Sequence, residues 1–173
     1  MNKKPLLLIL TRYCLISFLL FAFASCDKGA PDDGVNTAPF YNLDVTLLPP
    51  NAKSEMGEHE GGFLKFRQDP DTARIITLDI WVFNLKPNHS YLLQRAVDPI
   101  TSSTCASTVW LTLGKGLVPQ DIPTDGKGNG QEDLFRNVTA VARGSQFRIH
   151  FQIIDETTLE TVLVSDCTQY TVR

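Results

Sequence analysis

Oxygen-bearing side chains are concentrated in one glycine-rich segment, positions 121–133, which reads DIPTDGKGNGQED. Asp121, Asp125, Asn129 and Glu132 carry the kinds of ligand atom that calcium prefers, since this ion binds about six to eight oxygens. The segment does not have the EF-hand pattern, because a proline and a lysine interrupt it. A second interpretation is a long connection whose glycines supply the positive φ angles of tight turns. The sequence thus offers a calcium candidate and a structural alternative for the same loop.

Side chains that could form a catalytic set are few. The three histidines, His59, His89 and His150, stand at no metal-ligand spacing from one another. The chain has no His-Glu-x-x-His motif, no Gly-x-Ser-x-Gly elbow and no phosphate-binding glycine loop. We therefore predict a protein that is not an enzyme and has no cofactor. A small extracytoplasmic hydrolase or metal-dependent enzyme is the residual alternative.

An aromatic pair in the middle of the chain indicates a possible ligand patch. From Ile75 to Phe83 the hydrophobic period is two, so Ile75, Trp81 and Phe83 share the face opposite the main apolar one. An exposed aromatic face can stack on sugar rings or dock a protein partner. The alternative is that a loop or a second sheet covers these side chains.

The charge balance argues against nucleic acid as a partner. The chain has 16 Lys and Arg against 19 Asp and Glu, a formal net charge of -3 at pH 7. Three of the basic residues, Lys3, Lys4 and Arg12, stand in the first 25 positions, where there is no acid, so the rest of the chain is more acidic still. A basic footprint for nucleic acid is absent.

The amino terminus has the features of a secretory signal peptide over residues 1–25. Lys3 and Lys4 precede an apolar run that ends at Ala24, and this run, interrupted by Arg12, is too short to span a bilayer. The sequence Phe23-Ala24-Ser25-Cys26 resembles the lipobox of bacterial lipoproteins, in which signal peptidase II cuts before a diacylglyceryl cysteine. The resemblance implies a lipid anchor on Cys26. An ordinary secretory signal followed by an incidental cysteine is the alternative.

Residues 26–38 are expected to form the lipidated cysteine and a flexible tether, because they are rich in Gly, Asp and Pro. The acidic residues Asp27, Asp32 and Asp33 resemble the signal that sends some Gram-negative lipoproteins to the cell surface, and a solvated tether is the alternative interpretation. We therefore expect a cell-envelope protein held by lipid, with the outer membrane of a Gram-negative bacterium as its location.

Two cysteines are left for the folded part of the chain. Cys14 leaves with the signal and Cys26 takes the lipid, so Cys105 and Cys167 form one pair in an oxidising compartment. We predict that they are bridged. In the chain-entropy model, closing so long a loop stabilises a fold by about 4 kcal/mol. Two separate buried thiols are the alternative.

Residues 39–173 are predicted to form one all-β domain. Apolar residues alternate with polar ones in five runs, and turn residues separate these runs, which indicates seven or eight antiparallel strands. The long cysteine spacing and Trp110 invite comparison with an immunoglobulin-like sandwich. The glycine-rich stretch 113–136 is similar to secreted sandwiches of the copper/zinc superoxide dismutase and chordin-repeat kind, without their histidine pairs. The five runs are Leu43/Val45/Leu47, Ile76/Leu78/Ile80/Val82, Tyr91/Leu93/Arg95/Val97, Val109/Leu111/Leu113 and Phe147/Ile149/Phe151/Ile153.

Together these features predict a lipid-anchored envelope protein whose domain is a non-enzymatic binding or structural module. Its expected partners are the membrane, through the anchor, and an envelope protein. The alternative function is glycan binding at the cell surface. We expect the domain itself to be monomeric.

Overall fold

The computed structural model describes residues 41–52 and 60–173, which fall in the unit Ala38–Arg173. The predictions for the signal peptide, Cys26 and the tether lie outside these residues, as does His59. The strands of the described part are β1 Leu43–Leu48, β2 Gly61–Gln68, β3 Ile75–Phe83, β4 Ser90–Pro99, β5 Leu111–Thr112, β6 Gly114–Lys115, β7 Val118–Pro119, β8 Asp121–Pro123, β9 Gly130–Asn137, β10 Gln146–Asp155, β11 Thr161–Ser165 and β12 Thr168–Thr171.

The strands form one sheet in the order β5-β4-β10-β11-β1-β2-β3-β9-β6-β7, with β12 paired to β10 and β8 paired to β4. All pairs are antiparallel except β6 with β9, which is parallel. Two contacts bring the ends of the sheet together: Ile122 of β8 stands opposite Tyr91 of β4, and Thr124 bridges Gly130 at the start of β9. The sheet is therefore a nearly closed barrel.

The all-β prediction is confirmed, and the described ranges contain no helix. The antiparallel immunoglobulin-like sandwich is not confirmed, because the strands form a single mixed sheet that curls on itself. The predicted alternation in Val109, Leu111 and Leu113 gives only the two-residue strand β5. Val109 lies before that strand and is 81% exposed.

The period of two places the apolar side chains inside the barrel. The inward residues of β3 and β10 are those that the alternation predicts, and most of them are fully or almost fully buried. Large buried side chains from five other strands complete the core: Leu47 of β1, Leu64 and Phe66 of β2, Tyr91 and Leu93 of β4, Ile122 of β8 and Leu163 of β11. The core thus lies along the barrel axis rather than between two separate sheets.

The predicted disulfide between Cys105 and Cys167 is confirmed, with the two Cα atoms 5.5 Å apart. It ties the long loop after β4 to the segment between β11 and β12. The Asp98 carboxylate accepts hydrogen bonds from the backbone N–H groups of Ala106 and Ser107, which shapes the same loop. The loop is therefore held against the outside of the barrel by one covalent link and one carboxylate.

Candidate functional site

A cavity of about 280 Å³ lies inside the barrel, partly open to solvent, and we call it the barrel cavity. Its walls come mainly from β3, β4, β9, β10 and β12. Apart from two arginines and Tyr170, every lining side chain is a hydrocarbon: Phe66, Ile76, Leu78, Val97, Leu113, Val138, Val141, Phe147, Ile149, Phe151 and Val172. Concave, largely apolar spaces with a few polar groups are typical of small-molecule sites, although this one is at the small end of the usual range.

The two arginines of the barrel cavity are Arg95 and Arg136. Arg95 occupies an inward position of β4, two residues after Leu93 and two before Val97. Arg136 occupies an inward position of β9, two residues after Leu134, and stands opposite Ile76 of β3. The alternation that builds the core therefore also delivers both guanidinium groups to it.

No acidic side chain of the described residues forms a salt bridge with either arginine. Arg136 donates one hydrogen bond, from Nη1 to the backbone carbonyl of Gly116 at 3.0 Å. Arg95 donates no hydrogen bond within the part of the chain that the structure describes. Burial lowers the pKa of Arg95, and the positive charge of Arg136 lowers it further. Both side chains are half-buried. Charges that are withdrawn from water are normally paired, so two neighbouring cations in the wall of an apolar cavity are unusual.

Tyr170 of β12 is the remaining polar residue of the cavity wall. Its hydroxyl donates a hydrogen bond to Oε1 of Gln68 at 2.7 Å, and Gln68 is fully buried. Burial raises the pKa of Tyr170, so its hydroxyl stays neutral. This hydroxyl is engaged by the protein, which leaves the arginines as the cationic groups of the wall.

Ile75, Trp81 and Phe83 all lie on the outward side of β3, as the alternation predicts. Ile75 and Trp81 are half-buried, whereas Phe83 is 39% exposed. Trp81 packs against Phe63 of β2 with ring centroids 6.1 Å apart, and Nζ of Lys65 lies 5.2 Å from the Trp81 ring centroid. We call Phe63, Lys65, Trp81 and Phe83 the outer aromatic face.

The four calcium candidates have other partners. The Asp125 carboxylate accepts hydrogen bonds from the backbone N–H groups of Asn129 and Lys127, and these bonds lower its pKa. Asp121 accepts hydrogen bonds from Ser90 and Gln120, and Glu132 lies 2.7 Å from Nζ of Lys115. Across residues 41–52 and 60–173 no group of three or more His, Cys, Asp or Glu side chains is placed to hold a metal ion. The Asp125 hydrogen bonds close the turn before β9, and the calcium interpretation of the loop stays a prediction.

The two histidines in the described ranges, His89 and His150, have different partners. Nε2 of His89 lies 2.8 Å from the Asp155 carboxylate at the end of β10. His150, on the outer side of β10, packs against Trp110 with ring centroids 4.7 Å apart. Asp155 also accepts hydrogen bonds from the backbone N–H groups of Thr157 and Thr158. This carboxylate therefore organises the turn between β10 and β11.

Sequence reasoning did not identify Arg95 or Arg136 as site residues. One signal was available, because the run Tyr91/Leu93/Arg95/Val97 places a charged residue in a series of inward positions. No such series surrounds Arg136, since the inward positions of β9 include Gly130 and Glu132. The pairing of β9 with β3 is what reveals its orientation.

Within the described ranges no helix is long and apolar enough to cross a membrane. Comparison of the chain with protein-family models, with curated proteins and with solved structures gave no match.

Proposed function

We propose that this chain is a lipid-anchored cell-envelope protein whose barrel is a non-enzymatic binding module, with the barrel cavity as its binding site. The observation that carries the proposal is the lining of the cavity. An apolar wall with two arginines that have no acidic partner among the described residues is suited to a ligand and is an unfavourable way to build a core.

The cavity supports binding rather than catalysis for a chemical reason. Its polar groups are two guanidinium groups, which offer hydrogen-bond donors and no acceptor, and one tyrosine hydroxyl held by Gln68. A nucleophile and a general base are not among the lining residues. Such a wall can orient a ligand and neutralise its charge.

The anchor and the envelope location are supported by the sequence features of residues 1–38. An outer-membrane location in a Gram-negative bacterium is part of the same proposal. Because a small rigid domain on a lipid tether can present its cavity near the membrane surface, the location and the binding role are compatible. An immunoglobulin-like arrangement of the strands stays a prediction, and the proposed function does not depend on it.

The anchor is tested by fractionating cells that express the native chain or Cys26→Ser. We expect the native chain in the membrane fraction with incorporated labelled fatty acid, and no label on the variant. Affinity capture from the same membranes then reports an envelope partner, with Cys26→Ser as the matched control. Equal absence of label in both chains contradicts the lipid anchor.

The binding role is tested by calorimetric titration of the full chain in nanodiscs with octan-1-ol and with octanoate, using empty nanodiscs as the blank. Val97→Trp is the matched variant, because it places a large side chain in the wall of the barrel cavity. We expect at least one of the two probes to bind the native chain, and the variant to lose that binding. No binding of either probe, or equal binding to both chains, contradicts the proposal.

Glycan binding on the outer aromatic face is the second candidate function. The observation that favours it is the grouping of Phe63, Trp81 and the exposed Phe83 beside Lys65. Glycan-array binding that is lost in Trp81→Ala and kept in Phe135→Ala supports this candidate, because Phe135 is another exposed aromatic residue on β9. An array without binding excludes it.

A further inference from the structure

We infer that the ligand of the barrel cavity is a small amphiphilic anion, with its acidic group between Arg95 and Arg136 and its apolar part against the hydrocarbon wall. This inference rests on the proposed function and names the chemical class of the ligand.

The charge of the headgroup follows from the two guanidinium groups. Both line the same cavity, and the described residues place no carboxylate in a salt bridge with either. An anion between them relieves their mutual repulsion and replaces the hydration that burial removes. A neutral ligand relieves neither the repulsion nor the loss of hydration, and a cationic ligand increases the repulsion.

The geometry of guanidinium favours an oxyanion. Its planar fork of N–H donors matches the paired oxygens of a carboxylate or a phosphate. Nη1 of Arg136 donates a hydrogen bond to the Gly116 carbonyl, which fixes that side chain. Among the described residues Arg95 donates no hydrogen bond, so all of its N–H groups can face a ligand. We therefore expect Arg95 to make the stronger contact with the headgroup and Arg136 to complete it.

The size and character of the tail follow from the volume and the wall. At ~30 Å³ for each non-hydrogen atom, the share of a water molecule in the liquid, 280 Å³ holds roughly nine atoms. Eleven of the lining side chains are hydrocarbons, so the part of the ligand beyond the headgroup is apolar. A medium-chain or aromatic acid fits this description, and the partial opening to solvent allows a longer tail to project.

The test is a comparison of three probes with the same alkyl chain: octanoate, octyl phosphate and the neutral octanamide. Each is titrated into the full chain in nanodiscs, with empty nanodiscs as the blank. We expect octanoate or octyl phosphate to bind at least ten-fold more tightly than octanamide, since charge-assisted hydrogen bonds exceed neutral ones. The tighter of the two anions identifies the headgroup.

Arg95→Met and Arg95→Lys are the informative variants. Methionine keeps the apolar bulk and removes the charge, so the preference for the anion over octanamide is expected to disappear. Lysine keeps the charge and is expected to keep part of the preference. Lys127→Met is the matched control, because it removes one positive charge from the exposed turn before β9, at the opposite end of that strand from Arg136, and is expected to bind as the native chain does.

The outcomes separate the two proposals. If octanamide and both anions bind equally, and Val97→Trp removes all of this binding, the cavity is a binding site and the anionic class is wrong. If no probe binds, both proposals are wrong. The comparison of octanoate with octanamide on the native chain needs no variant, so an arginine variant that fails to fold does not affect it.

Discussion

Arg95 and Arg136 reach the same cavity from two strands, β4 and β9, which lie on either side of the seam where the barrel closes. The short strand β8 and the Thr124–Gly130 bridge link the two strands across this seam. Closure of the barrel is therefore what brings the two guanidinium groups together. Repulsion between these two half-buried like charges is a cost to the ligand-free fold, and the proposed anion would relieve it. The candidate site therefore exists only because the barrel closes between β4 and β9.

Arg95→Met is expected to stabilise the ligand-free protein by about 1 kcal/mol, because it removes a half-buried charge that has no acidic partner among the described residues. Arg136→Met is expected to destabilise it by about 1 kcal/mol, since the hydrogen bond to the Gly116 carbonyl is lost. Urea unfolding followed by circular dichroism measures both. A clear loss of stability in Arg95→Met contradicts the assignment of Arg95 to ligand binding.

Removing the disulfide is expected to lower the free energy of unfolding by about 4 kcal/mol, because the bond closes a long loop in the unfolded chain. Cys105→Ser/Cys167→Ser is compared with the native chain in urea, with and without reductant. Reductant is expected to leave the free energy of unfolding of the double variant unchanged. The double variant thus shows whether reductant affects stability by any route other than this disulfide. Equal stability of the native and double-variant chains contradicts the prediction.

Asp155→Asn is expected to lower the melting temperature at pH 7 by several degrees. Backbone N–H groups of Thr158 and Thr157, His89 and Lys86 lower the pKa of Asp155, against the opposing effect of burial. The pKa of Asp155 is lower in the folded chain than in the unfolded chain, so the ionised carboxylate stabilises the fold. This contribution is complete above about pH 5 and is progressively lost as the pH falls below about 4. Melting curves of both chains between pH 7 and pH 3 should show the difference narrowing at the acid end. A difference that is constant or grows in acid contradicts the assignment.

Gly128→Ala is expected to destabilise the protein by about 2 kcal/mol. Gly128 has a φ of 80°, and a Cβ atom there would clash with the Leu85 carbonyl oxygen. Gly126→Ala is the matched control, because a Cβ there meets no heavy atom within 4 Å, and its effect is expected to stay within about 0.5 kcal/mol. Thermal unfolding in calcium and in chelator measures both variants. Equal effects of the two substitutions contradict this account of the loop.

The sequence predicted the long strands well because their signal is local. In β3 and β10 a period of two runs over nine and ten residues, and the inward side chains are the ones that the pattern selects. The bridge between Cys105 and Cys167 was also predictable, since the sequence features of residues 1–26 predict uses outside the fold for the other two cysteines. The outward positions of Ile75, Trp81 and Phe83 follow from the same local pattern.

Barrel closure could not be predicted in the same way. It depends on strands of two or three residues, β5 to β8, which are too short to show a period. It also depends on the pairing of β8 with β4, two segments that are far apart in the sequence. The alternation in β4 predicts a strand, but it does not say which strand lies beside it. The site is missed for the same reason, because Arg136 becomes a cavity residue only when β9 is placed beside the seam.

The most direct test of the central claim is a crystal structure of the protein with octanoate or octyl phosphate, whichever binds more tightly. We predict electron density for the alkyl chain in the barrel cavity and headgroup oxygens about 2.7–2.9 Å from guanidinium nitrogens of both Arg95 and Arg136. An empty cavity at a saturating concentration of that anion, or a headgroup that points to solvent away from both arginines, would contradict the account.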